Sequence, residues 1–393
     1  MTNRQLFLQH VAQTSAFPLA LEIERAEGMY LYDTQGKSYM DLIAGISVSC
    51  LGHCHPKVTA AAKAQLDKYL HTIVYGEFVL APQVQLAKLL SDHLPPSLDS
   101  VFFVNSGTEA TEGAMKLAKR VTGRYDFVSC LNSYHGSTQG AMSLNSDDYF
   151  TGAFRPLLPN VKHIRYNCTR DLSYINTQTA AVVMETVQAE SGINLPTPGY
   201  LQAVRNRCDE VGALLILDEI QVGYGRTGTL WAFEQQGVVP DILLLAKGMG
   251  GGMPIGAFVA SHAMMQLLTD NPLLGHITTF GGHPVCVAAA LATLQTLIEE
   301  DYIAKANEKE QLFRALLVHP KIKAVRGKGL FLGVELSDFD YLQRVIQSCI
   351  SKGVITDWFL FNDKTMRIAP PLIISEAEIR VACAVILEAL DLE

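Results

Sequence analysis

The sequence predicts an α/β protein with a large, mostly parallel sheet domain and a smaller α+β domain. Strand-length apolar runs recur through the middle of the chain. They are apolar throughout and not alternately, which is typical of strands buried on both faces in a sheet covered by helices. After Pro284, long helical patterns dominate and strand-like runs are few, which indicates a second, smaller unit.

The elements follow in chain order. Residues 28–48 hold short strand-like runs with turn signals, and residues 56–90 hold two helical patterns. Strands of the large sheet are predicted at 101–104, 127–130, 180–184, 213–217, 242–246 and 255–260. The small unit is predicted from a helical stretch to about 317, strands at 322–326, 330–336 and 366–369, and helices from 341 and over 376–392. We expect a segment 1–55 whose strands join the small domain, a large domain 56–284 and a small domain 285–393.

Composition and charge exclude several classes of protein. Among 393 residues, 39 Asp and Glu against 31 Lys and Arg give a net charge of −8, which disfavours a nucleic-acid binder. No stretch approaches the roughly 18 apolar residues of a membrane span, and the first ten residues do not resemble a signal peptide. The eight cysteines are scattered without a repeated spacing. We therefore expect a cytoplasmic protein without a disulfide framework.

One cluster of soft ligands stands out, at Cys50-Leu-Gly-His53-Cys54-His55-Pro56. Its spacing is not that of the common zinc fingers, and no second Cys/His pair follows at finger distance. The alternative is a turn before a helix that begins near Pro56. The sequence favours the turn, and no metal is expected.

The first strand of the large sheet leads into a Gly/Ser/Thr-rich turn, Asn105-Ser106-Gly107-Thr108-Glu109, that opens a helix. Ligands of open α/β sheets bind beyond the carboxyl ends of the strands. A helix N-terminus presents free N–H groups and the positive end of the helix dipole, so this turn is a candidate phosphate site. The alternative is a simple helix cap, since Ser106 and Glu109 fit a capping box.

Titratable residues follow the other strands. Run 213–217 ends on Asp218, whose carboxylate needs a positive partner when buried. Run 242–246 ends on Lys247, which is either a counter-ion or an amine that forms Schiff bases. Run 127–130 leads to Tyr134 and His135, and run 180–184 leads to Glu185 and Glu190. These groups are predicted to meet at one edge of the sheet.

A dinucleotide fingerprint, G-x-G-x-x-G, also occurs at Gly223-Tyr-Gly225-Arg-Thr-Gly228. Asp218 and Glu219 stand between the strand and these glycines, where their charge would repel a pyrophosphate. A nicotinamide-dependent dehydrogenase is therefore only a distant alternative. A phosphorylated ligand that condenses with a lysine and presents a ring nitrogen to an acid matches the strand ends better, and pyridoxal 5′-phosphate meets each requirement.

The motifs together resemble those of class III aminotransferases. The segment from Leu217 to Gly228, Lys247 placed 29 positions after Asp218, and further motifs in the same order carry the resemblance: Gly52-His-Cys-His-Pro56, Asn105-Ser-Gly-Thr108, Thr278-Thr-Phe-Gly-Gly282 and Arg367-Ile-Ala-Pro-Pro371. The similarity covers nearly the whole chain and is closest to acetylornithine and ornithine aminotransferases. It implies a fold-type I enzyme with a seven-stranded sheet, which works as a homodimer with active sites at the interface.

The resemblance also implies roles for single residues. Lys247 would form the Schiff base and carry the proton, and Asp218 would hold the pyridinium. Gln221 would approach the ring hydroxyl, and Tyr134 would stack on the ring. Phosphate binding is implied for Gly107 and Thr108, and for Thr279 from the other subunit, while Ser106 and His135 complete the expected cofactor site. Glu190 and Arg367 match the pair that admits an amino donor and a 2-oxo acid in turn.

The sequence departs from the acetylornithine and ornithine enzymes at Ser137, where those enzymes usually have an Arg that helps to hold a substrate carboxylate. The donor therefore stays open. We expect an aminotransferase that moves the amino group of a primary, terminal amine, of the acetylornithine, ornithine or 4-aminobutyrate kind, to 2-oxoglutarate. An aminomutase or racemase on the same fold is the nearer alternative.

Overall fold

The structure is a computed structural model that describes residues 1–392, and it confirms the α/β architecture. The helices are α1 (Asn3–His10), α2 (Ala44–Ser47), α3 (Pro56–Leu66), α4 (Ala81–Asp92), α5 (Gly107–Thr122), α6 (Gln139–Ser143), α7 (Asp148–Thr151), α8 (Tyr200–Val211), α9 (His262–Gln266), α10 (Pro284–Glu299), α11 (Tyr302–Leu316), α12 (Phe339–Ser351) and α13 (Glu376–Leu390). The strands are β1 (Ile23–Glu27), β2 (Tyr30–Asp33), β3 (Ser38–Asp41), β4 (Ser100–Val104), β5 (Asp126–Cys130), β6 (Val161–Ile164), β7 (Thr179–Glu185), β8 (Leu214–Asp218), β9 (Ile242–Leu245), β10 (Gly256–Ala260), β11 (Ala324–Lys328), β12 (Phe331–Glu335), β13 (Val354–Ile355), β14 (Trp358–Phe359) and β15 (Asn362–Ile368).

The central sheet has seven strands within the described residues, in the order β4-β10-β9-β8-β7-β5-β6. Strands β9, β8, β7, β5 and β6 are parallel, and β10 runs antiparallel to both of its neighbours. Every residue of β7, β8, β9 and β10 is buried, as expected for strands covered on both faces. The carboxyl ends of the parallel strands therefore lie at one edge of the sheet.

The N-terminal strands share a sheet with the C-terminal part of the chain. The order is β1-β2-β3-β13, and β13 pairs in parallel with β3. A third sheet has the order β11-β12-β15-β14. The boundaries at residues 55 and 284 stay a prediction, since the three sheets do not by themselves define where one domain ends.

Helix α5 shows how the sequence places the site. Its apolar stripe, which includes Ala110, Ala114 and Leu117, is buried against the sheet. Ser106 caps the first turn, and Gly123 ends the helix with a φ of 67° in the left-handed region. The first turn of α5 is thereby fixed at the end of β4. No helix within residues 1–392 has the length and apolar character that crossing a membrane requires.

Candidate active site

A cavity of about 380 Å³ opens at the carboxyl ends of β5, β7, β8 and β9, beside the first turn of α5. Its lining includes most of the residues that sequence analysis singled out: Ser106, Gly107, Tyr134, His135, Glu185, Asp218, Gln221 and Lys247. Apolar side chains, among them Val48, Val187 and Ile220, form the rest of the wall. The expectation that a ligand binds beyond the carboxyl ends of the strands thus locates the cavity correctly.

The first turn of α5 presents unpaired N–H groups. Ser106 Oγ accepts from Glu109 N at 3.3 Å, but Glu109 Oε2 accepts from Asn105 N at 2.7 Å and not from Ser106 N. The capping-box interpretation is therefore only half right. Within residues 1–392, Gly107 N and Thr108 N have no hydrogen-bond acceptor in the chain. These N–H groups and the helix dipole suit an anion.

Asp218 is buried and paired with an imidazole. Its Oδ2 lies 2.7 Å from His135 Nδ1, and its Oδ1 accepts from Ile220 N at 2.9 Å. His135 is also buried, and its Nε2 has no partner within the described chain. Within the described chain, the side chain that pairs with the buried Asp218 carboxylate is thus His135, a pairing that the sequence analysis did not find.

Lys247 begins a 3₁₀ turn directly after β9, with a φ of 47°. Its Nζ donates to Gln221 Oε1 at 3.2 Å. Burial lowers the pKa of Lys247, against the opposing influence of Glu190. A lysine with a lowered pKa supplies more neutral amine, which is the nucleophilic form.

Glu190 and Arg367 meet, although 177 residues separate them in the chain. Arg367 Nη1 donates to Glu190 Oε1 at 3.0 Å, and Nη2 donates to Glu190 Oε2 at 3.1 Å. Both side chains are buried. Burial alone would raise the pKa of Glu190, but the charges of Arg367 and Lys247 outweigh it and lower this pKa. The pair is ionised at neutral pH.

The sequence analysis named Glu185 without giving it a chemical role and did not name Asp357. Burial and the charge of Asp218 raise the pKa of Glu185, which lines the cavity, well above its usual range. Asp357 Oδ1 lies 2.9 Å from Arg367 Nε. Glu185 followed a predicted strand and could have been assigned, whereas no motif surrounds Asp357.

Two expected cofactor residues lie outside the cavity lining. Thr108 is on the first turn of α5, where its Oγ1 is 2.7 Å from Thr138 Oγ1. Thr279 is exposed on the segment between α9 and α10. Thr279 does not line the cavity of its own chain, although Asn105, which does, donates to the neighbouring Thr278 Oγ1 at 2.9 Å.

The cysteine and histidine cluster and the dinucleotide fingerprint each take another structural role. His53 Nε2 lies 2.9 Å from Asp41 Oδ2, and Pro56 begins α3, so the cysteine and histidine cluster is a turn before a helix. Across residues 1–392, no group of three or more His, Cys, Asp or Glu could hold a metal ion. After Gly228 the chain forms a 3₁₀ helix, Ala232–Gln236, and not the α-helix of a dinucleotide site.

Comparison with known proteins gives the same picture over nearly the whole chain. The family model "Aminotransferase class-III" matches residues 11–390. The chain is 39% identical over 386 residues to the acetylornithine aminotransferase of Methanopyrus kandleri, covering 97% of this chain and 96% of that protein. It is 37% identical to the acetylornithine aminotransferase of Caldanaerobacter subterraneus subsp. tengcongensis, covering 92% of each.

Solved structures share the fold. The ornithine aminotransferase of Toxoplasma gondii, whose active site is described as partially occupied by pyridoxal phosphate, superposes with a TM-score of 0.91 at 32% identity over 98% of this chain and 92% of that chain. The adenosylmethionine-8-amino-7-oxononanoate aminotransferase of Methanocaldococcus jannaschii gives 0.91 at 29% identity over 99% of each chain. The fold-type I prediction is confirmed.

Proposed function

Since the chain belongs to the class III aminotransferase family, and is thus a pyridoxal-phosphate-dependent transaminase, we propose that it moves the amino group of a primary, terminal amine to 2-oxoglutarate. The observation that carries this proposal is the meeting of Lys247, Asp218 and the first turn of α5 around one cavity. Each of the three groups supplies something the cofactor requires: an amine, an acid for the ring nitrogen and an anion site for the phosphate.

The residues around the cavity fit pyridoxal phosphate. Several of their polar atoms have no partner within residues 1–392: Gly107 N, Thr108 N, Gln221 Nε2 and His135 Nε2. Gln221 Nε2 and His135 Nε2 are buried, and unpaired buried polar atoms are costly, so a ligand or water must satisfy these two. When bound, the cofactor supplies a ring that stores electrons while an amino group is transferred.

Each residue of the chain then has a defined task. Lys247 Nζ would attach the cofactor covalently and, once a donor amine displaces it, move the proton between donor and cofactor carbons. Asp218, held by His135, would keep a proton on the ring nitrogen. Gln221 would offer its free Nε2 to the ring hydroxyl, and Tyr134 would give the ring an aromatic face.

Arg367 and Glu190 would admit the two substrates in turn. With a terminal amine bound, Glu190 stays paired with Arg367, and no free guanidinium is available; neither residue lines the cavity itself, but the charges of both act on Lys247. With the 2-oxo acid bound, Glu190 turns away, and Arg367 grips the α-carboxylate through two parallel hydrogen bonds. The observed bidentate pair of Glu190 and Arg367 supports this exchange, because one carboxylate takes the place of another.

We also propose a homodimer in which Thr279 of one subunit completes the phosphate site of the other. Thr279 lies in an exposed apolar surface, where Phe280 packs against His71 with ring centroids 4.8 Å apart. Large apolar side chains in the segments that carry His71 and Phe280 are exposed as well: Leu70, Phe78, Val79, Leu273, Leu274 and Ile277. Exposed apolar surface supports an interaction site in this part of the molecule.

The relatives are named acetylornithine aminotransferases. Their names alone do not identify the amino donor of this chain, because the chain differs at Ser137. Ser137 Oγ lies 2.9 Å from Tyr134 OH, and it offers a donor carboxylate no charge. An acidic donor loses a charge-assisted partner at this position. We therefore expect donors whose far end is uncharged to be accepted at least as well as acetylornithine.

A panel of donors tests the proposal. N-acetylornithine, ornithine, 4-aminobutyrate and an uncharged primary amine are each incubated with the holoenzyme, with and without 2-oxoglutarate, and glutamate is measured. Glutamate must form only when donor and 2-oxoglutarate are both present. Conversion of a donor without any oxo acid would instead support an aminomutase or racemase. Ser137→Arg is the matched variant, and it should raise the rate with N-acetylornithine relative to the uncharged amine.

A further inference from the structure

Arg367 is held by two carboxylates at different edges of its guanidinium. Glu190 binds Nη1 and Nη2 at 3.0 and 3.1 Å. Asp357 Oδ1 lies 2.9 Å from Nε, as an ion pair whose angle is not that of a hydrogen bond. The proposed exchange of substrates removes Glu190 from Arg367 but does not touch the Nε side.

The short segment that carries Asp357 grips Arg367 in several further ways. Trp358 O accepts from Arg367 Nη2 at 3.1 Å, and the ring of Phe359 lies under the guanidinium, 4.5 Å from Cζ. In the backbone, Arg367 N donates to Asp357 O at 2.9 Å, and Thr356 Oγ1 donates to Arg367 O at 2.6 Å. Residues 356–359 thus hold the backbone, the Nε edge and one face of Arg367.

The Glu190 carboxylate is held by its two bonds to Arg367 and by Leu360 N, which donates to its Oε2 at 3.1 Å. If Glu190 leaves, Arg367 loses the partner of its Nη1–Nη2 edge. A long side chain released on one edge would sample other rotamers unless it is held elsewhere, and each lost rotamer adds to the entropy cost of binding.

We propose that Asp357 is a positioning residue, which keeps the guanidinium of Arg367 in place when Glu190 departs, so that the Nη1–Nη2 edge faces the carboxylate of the incoming 2-oxo acid. This inference rests on the proposed function, because it takes Arg367 as the group that binds that carboxylate. Burial raises the pKa of Asp357 to about 6, against the charge of Arg367, and the group is therefore mostly ionised at neutral pH.

Two variants of Asp357 separate positioning from a merely structural role. Asp357→Ala removes the oxygen beside Nε, whereas Asp357→Asn keeps an oxygen of similar size and position there. Glu335→Gln is the matched control, since it removes a carboxylate that binds another arginine of the same sheet, Arg326, at 2.7 Å. Thermal unfolding of all three holoenzymes establishes that each is folded.

Binding is measured by titrating each holoenzyme calorimetrically with glutarate, which has the two carboxylates of 2-oxoglutarate but no oxo group and cannot react. Single-turnover rates with a terminal-amine donor are measured alongside. Asp357→Ala should weaken glutarate binding about tenfold or more and leave the donor rate within about twofold, because the donor does not displace Glu190. Asp357→Asn and Glu335→Gln should bind glutarate within about threefold of the unchanged protein.

Other results would overturn the inference. Unchanged glutarate binding in Asp357→Ala, equal losses with donor and glutarate, or a loss in Asp357→Asn as large as that in Asp357→Ala would each exclude a positioning role. A failed proposal for the acceptor gives a different result: the unchanged holoenzyme would then bind glutarate yet form no glutamate from 2-oxoglutarate. The two failures are thus distinguishable.

Discussion

At the scale of single residues, Asp218 is paired with His135, and we propose that it keeps a proton on the ring nitrogen of the cofactor. Asp218→Asn removes the charge that favours a proton there, while Lys247 and the first turn of α5 still hold the cofactor. We expect the variant to bind pyridoxal phosphate and to lose about 10³-fold or more in the single-turnover rate with donor. A variant within tenfold of the unchanged protein would mean that Asp218 is only structural.

Glu219, next to Asp218, makes stability depend on pH. Burial raises its pKa to about 7, although Thr186 Oγ1, Ala232 N and Phe233 N all donate to it. The folded protein therefore holds this proton more tightly than the unfolded chain, whose value is near 4.5. The stability from protonated Glu219 is complete below pH 4.5 and is lost as the pH rises through 7, on the order of 3 kcal/mol.

Glu219→Gln tests this dependence, because an amide does not titrate. Melting temperatures of both holoenzymes, measured from pH 4.5 to 8 at one protein concentration, should fall less steeply with pH in the variant. The variant should be less stable throughout, since its NH₂ group faces a backbone donor. Parallel curves would show that Glu219 does not titrate in this range.

Also at this scale, contacts between site residues can be predicted from the sequence only if both residues follow strands whose ends the sheet topology brings together. Asp218 and Lys247 follow neighbouring parallel strands, so their meeting could be predicted. The bond between His135 and Asp218 spans 83 positions, and Asp357 contacts Arg367 through a hairpin that has no motif. Such contacts depend on side-chain directions in the folded chain, which periodicity does not give.

At the scale of elements, α2 is one turn of left-handed helix beside the active site. Ala44, Gly45, Ile46 and Ser47 have φ values of 49°, 60°, 65° and 64°. Asp41 Oδ1 stabilises the start of this turn, because it accepts from Ile43 N and Ala44 N at 2.8 Å each. Left-handed backbone costs about 1–2 kcal/mol per residue that has a Cβ, so this turn stores strain next to the cavity.

Gly45→Ala adds to that strain without a clash, since the nearest atom to the new Cβ is Val48 Cβ at 3.8 Å. Gly123→Ala is the control, with a φ of 67° and open space. Each should destabilise the protein by about 1 kcal/mol. Only Gly45→Ala should also raise KM for the donor, because Val48 lines the cavity. Equal kinetics in both variants would contradict a role for the turn.

Strands and helices of the large sheet were predictable to different degrees. Completely buried strands such as β8 and β9 appear as continuous apolar runs. Edge strand β6, Val161–Ile164, was missed because it is half-exposed and includes a lysine and a histidine. The single helical stretch predicted after Pro284 is two helices, α10 and α11, because the backbone of Glu300 is extended. A polar break of two residues does not interrupt an apolar pattern clearly.

At the scale of the whole molecule, the proposed homodimer can be tested by mixing two defective subunits. Lys247→Ala removes the amine, and Thr279→Asp places a negative charge where the phosphate is expected. If Thr279 acts across the interface, a hybrid dimer has one site with both changes and one with neither. The two proteins are unfolded and refolded together in equal amounts. About half of the dimers are then hybrids with one intact site of two, so the mixture should regain about a quarter of the activity of the unchanged protein.

Gel filtration of the mixture and the activity of each variant refolded alone are the controls for this experiment. A mixture no more active than the sum of its parts would place Thr279 in the site of its own subunit, or in none. The arrangement of subunits could not be derived from periodicity. That apolar residues such as Val79 and Leu273 are 91% and 76% exposed becomes evident only in the folded chain.

The absorbance of the bound cofactor tests the central claim most directly. The unchanged holoenzyme should be yellow, lose this colour when an active donor is added, and regain it only when 2-oxoglutarate follows. Lys247→Ala should remain folded but show less than about one per cent of the unchanged rate in either direction, a loss of at least roughly 2.7 kcal/mol of transition-state stabilisation. A Lys247→Ala variant that completes the cycle at a higher rate would contradict the account.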